Sequence, residues 1–167
     1  LSALHDPALL NSIGSLVRDN DAEVRKIARS ILATSDPITA IEEAEYVLQG
    51  GSTDEKQQVI QMLCHMSERK AGDVLIRALQ RQLTSDAEMS IRLDLLEAAY
   101  KRGEKALIDA AREIESQRDK KDPLGYYREC LFGGDIVSGE KVFFNNKKVT
   151  CVRCHMVNER GGSVGPN

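Results

Sequence analysis

Asn20-Asp21-Ala22-Glu23-Val24-Arg25 opens an amphipathic stretch, and its plan returns twice in the 167-residue chain. Ser52-Thr53-Asp54-Glu55-Lys56-Gln57 is the second start, and Ser85-Asp86-Ala87-Glu88-Met89-Ser90 the third. The aligned acids Glu23, Glu55 and Glu88 stand 32 and 33 residues apart. A small polar residue with an acid two or three places on is the signature of a helix N-terminus. Each start leads into an apolar stripe at 3.6-residue spacing. The first stripe is Val24, Ile27, Ala28, Ile31 and Leu32, and the second Val59, Ile60, Leu63 and Met66. The third is Met89, Ile91, Leu95, Leu96 and Ala99.

Partner helices are expected between these three. One runs over 37–48, beginning with Pro37 and stopped by Gly50-Gly51. Another covers 71–83, with Val74, Leu75, Ala78 and Leu79 on its apolar face. Helices at 4–16 and 103–114 open and close the series. Paired helices with this period bury their apolar faces only by stacking on their neighbours. The expected fold is therefore all-α, a helical-repeat solenoid over residues 1–118.

Beyond it the pattern changes. Residues 116–123 are polar and charged, so 119–134 reads as a linker that carries a short helix at 124–131. Tyr126, Tyr127 and Phe132 are its candidate anchors. Gly133-Gly134-Asp135 makes a turn, and a helix is expected over 136–144, with Val137, Val142, Phe143 and Phe144 as its apolar contacts. Residues 135–167 form the last segment.

That segment contains Cys151-Val152-Arg153-Cys154-His155. Two thiols three apart, followed at once by an imidazole, can hold a haem by two thioether bonds and one axial nitrogen. One turn brings Cys151 and Cys154 to one side, and His155, next along, can swing its ring beneath the iron as a proximal axial ligand. Two other chemistries use similar residues. Zinc would take the two thiolates and the imidazole, but no downstream Cys or His offers a fourth ligand. A redox dithiol would need a strand-and-helix setting that the flanks lack.

Two resemblances follow from these residues. The starts at Asp21-Ala22-Glu23-Val24-Arg25 and Asp86-Ala87-Glu88 resemble HEAT repeats, across roughly residues 3–118. In that family an acid-to-arginine pattern ties adjacent repeats together, and this chain departs from it with Gln57 where Arg25 stands. Gly134-Asp135, Gly139-Glu140-Lys141-Val142-Phe143, the pentapeptide, Gly161-Gly162 and Gly165-Pro166 resemble, in order, the opening of a class I c-type cytochrome. The resemblance implies covalent haem c on Cys151 and Cys154, iron on His155, Phe143 at the haem edge, and the Pro166 carbonyl fixing the imidazole N–H. The combination resembles large planctomycete-type haem-binding proteins that also carry a sugar-dehydrogenase-like propeller. It implies a bacterial, periplasmic or otherwise exported protein that passes electrons to a redox partner or an attached dehydrogenase domain.

No distal ligand is evident. Met156 adjoins the proximal histidine, and Met62, Met66 and Met89 belong to repeat helices. The chain reads as a piece of a longer precursor, with no initiator Met, no signal-peptide pattern and no apolar run of membrane-spanning length. Charged residues make up 29% and the net charge is −3, which offers no polyanion-binding surface and no nucleic-acid partner. Asn146-Lys147-Lys148 and Lys120-Lys121 read as solvated surface, Glu42-Glu43 with Glu45 as the wet face of a helix, and His5 and His65 as surface or capping residues. Cys64 reads as a buried thiol, and Cys130 as a free thiol or a local packing residue.

Neither part pairs a nucleophile with a general base, so no catalytic residue is expected. The leading expectation is a fragment of an electron-transfer cytochrome on a helical scaffold. Its rivals are an interaction scaffold without haem and a peroxide-processing haem enzyme.

Overall fold

The computed structural model describes residues 7–84 and 87–166. Three sequence expectations, the helix start at Leu4, His5 and the Ser85-Asp86 start, lie outside the described residues. The fold is mostly helical. Its helices are α1 (Pro7–Leu16), α2 (Ala22–Ser35), α3 (Pro37–Gly50), α4 (Thr53–His65), α5 (Arg69–Arg81), α6 (Met89–Arg102), α7 (Lys105–Ser116) and α8 (Ile136–Asn145). Gly125–Leu131 and Cys151–Arg153 are 3-10 helices, and β1 (Met156–Val157) pairs antiparallel with β2 (Arg160–Gly161).

The chain divides into two compact units, residues 1–133 and 134–167. In the first, the starts of α2, α3 and α4 carry side-chain caps. The Asp21 carboxylate accepts from the Glu23 amide, and Asp36 accepts from the Thr39 amide with Pro37 as the first helical residue. Ser52 and Glu55 form a reciprocal capping box on α4. Gly103 ends α6 with a left-handed backbone, φ 74°, a conformation that favours glycine.

Successive helices pack together, and alternate ones do as well. α2 touches α4 and α4 touches α6, while α3 touches α5 and α5 touches α7. Leu32, Leu63, Leu75, Leu79, Leu95 and Leu107, at most 1% exposed, are among the side chains at the centre of this packing. Each buried leucine contributes about 1.5–3 kcal/mol from removal of apolar surface from water.

Polar ties cross the same contacts. Arg25 Nε donates to Glu55 Oε1 at 2.7 Å, and both terminal nitrogens of Arg29 reach that oxygen at 3.0 Å. Lys56 Nζ meets Glu88 Oε2 at 2.6 Å. Gln57, which stands where an arginine was expected, donates to Asp94 Oδ2 and to the Gly133 carbonyl, each at 3.0 Å. The amide thus replaces the ionic tie with neutral donors. The half-buried Arg102 donates to the carbonyls of Leu63 and Met66 at the end of α4.

Some sequence expectations shift. The helix placed at 71–83 begins at Arg69 and ends at Arg81. The Glu43 and Glu45 carboxylates pair outside their own helix, with Arg18 in the turn after α1 and Arg77 of α5. A wet helix face is also an inter-helix seam here. His65 sits between the Gln61 carbonyl, 2.8 Å from Nδ1, and Lys101 Nζ, 2.7 Å from Nε2. Because an ammonium only donates, Nε2 accepts and Nδ1–H donates. No helix among the described residues is long and apolar enough to cross a membrane.

Candidate functional site

The second unit is built around α8 and the turn that follows it. Asp135 caps α8 by accepting from the Ser138 amide at 2.6 Å. Hydrogen bonds from Ser138, side chain then backbone, hold the Asp135 carboxyl below its ordinary range. No residue of α8 is fully buried. Phe143 and Phe144, both half-buried, meet edge to face with ring centroids 4.9 Å apart. The Arg160 guanidinium lies 4.1 Å over the Phe144 ring and 3.7 Å from the Glu140 carboxylate.

Between α8 and the pentapeptide the chain turns on Asn146. Its side-chain oxygen accepts from the Lys148 amide at 2.9 Å and the Val149 amide at 3.4 Å, and its carbonyl accepts from the Thr150 amide at 3.1 Å. Thr150 then takes a left-handed backbone, φ 45°, ψ 38°. For a β-branched residue that conformation costs roughly 1–2 kcal/mol.

The pentapeptide begins as a 3-10 turn. The Cys154 and His155 amides both donate to the Cys151 carbonyl, at 3.2 and 3.0 Å, and the Arg153 amide donates to Thr150 at 3.0 Å. Cys151 is half-buried and Cys154 exposed, and both are unpaired thiols. The hairpin Met156–Gly161 folds back over a two-residue turn in which Asn158 and Glu159 have φ of 50° and 62°.

Two amides beyond the hairpin close onto the turn. Gly162 N donates to Val152 O at 2.8 Å, and Gly165 N to Cys154 O at 2.6 Å. His155 Nδ1 lies 2.9 Å from the Pro166 carbonyl. A carbonyl only accepts, so Nδ1 carries a proton, and in the neutral ring the lone pair is on Nε2. That close approach depends on Gly165, where a Cβ would sit 2.8 Å from both Cε1 and Nδ1 of the ring.

The five residues singled out from sequence therefore fall on one unit. His155 and Pro166 are in direct contact, Cys151 and Cys154 share the turn with them, and Phe143 sits on α8 against Phe144. Sequence reading missed Asn146, Thr150 and the hairpin. Only Asn158 gave a local signal for the hairpin, since asparagine tolerates positive φ. Among the described residues no three of His, Cys, Asp and Glu gather where they could hold a bare metal ion. Much apolar surface of this unit faces solvent, with Ile136 and Val164 each 87% exposed. No family model matches the chain, and searches of curated proteins and of solved structures also found no match.

Proposed function

We propose that this chain is part of a c-type cytochrome electron-transfer protein, in which a HEAT-like solenoid carries the opening segment of a class I cytochrome module. The contacts of α2 with α4 and of α4 with α6, and those of α3 with α5 and of α5 with α7, support stacking of helix pairs at the sequence period. Ion pairs such as Arg29 with Glu55 support the repeat-to-repeat ties of that family.

The single observation that carries the haem reading is the His155 Nδ1 to Pro166 carbonyl contact, made on the turn that bears two unpaired thiols. It leaves Nε2 as the free donor nitrogen, which an axial ligand requires. The donor set fits haem better than zinc, because a porphyrin does not need the two sulfurs and the imidazole to converge on one point. Cys151 and Cys154 would hold the group by thioethers, His155 Nε2 would bind its iron, and Phe143 would flank its edge. The exposed apolar side chains of the unit offer surface for a large flat apolar group to cover. Haem bound there supplies a one-electron couple.

Such a protein is exported in a bacterium, and its partner is a redox protein or an attached dehydrogenase domain. The test is replacement of Cys151 and Cys154 by alanine in the native protein of full natural length, made with haem-attachment machinery. Loss of covalent haem with unchanged far-UV circular dichroism supports the assignment. Unchanged partner binding together with no haem even in the unsubstituted protein would leave an interaction scaffold.

A further inference from the structure

Thr150 is the one β-branched residue with positive φ among the described residues. It directly precedes Cys151. Its hydroxyl makes no hydrogen bond to a described residue, so no side-chain tie compensates the strained backbone. Strain of this kind persists where surrounding structure fixes it, and it concentrates at functional sites. Here the fixing contacts are backbone ones: Thr150 N to Asn146 O at 3.1 Å on one side, and Arg153 N to Thr150 O at 3.0 Å on the other.

We propose that Thr150, anchored by Asn146, is a positioning residue that presets the turn presenting Cys151, Cys154 and His155 before any cofactor is attached. The left-handed residue ends the Asn146 loop and starts the 3-10 turn in one step. Without it, Cys151 O would not face the amides of Cys154 and His155, and Val152 O and Cys154 O would lose their register with Gly162 and Gly165. The inference rests on the haem reading for its purpose, but the preset turn is a property of the chain alone.

Three variants separate these claims. Thr150→Asn keeps a residue that tolerates left-handed backbone, whereas Thr150→Pro locks φ near −65° and removes the amide that reaches Asn146. Asn146→Ala removes the acceptor for Lys148 and Val149. In the 167-residue chain without cofactor, hydrogen exchange at the Gly162 and Gly165 amides reads the turn directly. Exchange within about twofold of wild type in Thr150→Asn, and about tenfold faster in Thr150→Pro and Asn146→Ala, is expected. Equal exchange in wild type and Thr150→Pro overturns the preset turn.

Covalent haem per chain in the native protein is the second readout. Wild type and Thr150→Asn load, and Thr150→Pro loads at least about tenfold less. Full loading of Thr150→Pro overturns the positioning role and leaves the haem reading standing. A wild-type protein that takes no haem overturns the haem reading, and the exchange result then decides the turn by itself.

Discussion

Glu55 shows how much one side chain carries in the repeat unit. It accepts from Arg25, Arg29 and Ser52 while only 8% exposed, and these bonds, Arg25 first, pull its carboxyl down to about 2. A folded carboxyl that ionises below its ordinary 4.5 stabilises the fold when charged. That contribution is complete above about pH 6 and is lost as pH falls through about 2. Glu55→Gln leaves the 5%-exposed Arg29 without its counter-charge, and a loss of about 3 kcal/mol is expected at neutral pH. Urea unfolding of both proteins checks it: the gap should narrow steadily from pH 6 to pH 2, and a gap independent of pH would refute the role of the charge. His155 makes the same point for the site, since one carbonyl at 2.9 Å selects its tautomer.

Elements differ in how well their ends are marked. α4 has a full capping box, while α5 starts at Glu68, whose side chain makes no cap hydrogen bond. Glu68→Ser should therefore raise stability by about 0.5–1 kcal/mol, read as an increased urea midpoint at unchanged slope. A fall in midpoint would mean that Glu68 has another role. The same contrast explains what was legible from sequence. α2, α3 and α4 carry polar starts or Pro37 beside long apolar stripes, so period and caps agree and the elements stand out. The start of α5 has no such cap, and it lies two residues before the start that the apolar stripe predicts. Gly125–Leu131 was read as a short helix, and its tight 3-10 form depends on bonds such as Tyr127 N to Leu124 O that no side-chain pattern announces. The hairpin Met156–Gly161 is two residues per strand, too short for alternation to show, and its turn places Glu159 where glycine is the usual signal.

Across the whole molecule the two units differ in kind. Every buried hydrophobic side chain among the described residues belongs to residues 1–133, and residues 134–166 fold by caps, turns and backbone bonds with their apolar side chains largely exposed. Native-state hydrogen exchange should follow that division. Amides of α4, α5 and α6 around Leu63, Leu75 and Leu95 should exchange only by global opening, and those of Cys154 to Gly165 by local opening at far lower free energy. Equal protection in both units would contradict a core confined to the first. Close spacing made Cys151, Cys154 and His155 legible in sequence, and the order of the flanking motifs singled out Phe143 and Pro166. The site's supporting contacts come from Asn146, Thr150 and Pro166, whose parts depend on backbone geometry. The most direct test of the account is the intact mass and pyridine haemochrome spectrum of the native protein, exported in a bacterium with working attachment machinery. One haem per chain, covalently retained and lost when Cys151 and Cys154 become alanine, is the predicted result; a bare polypeptide mass with no haemochrome band would contradict it.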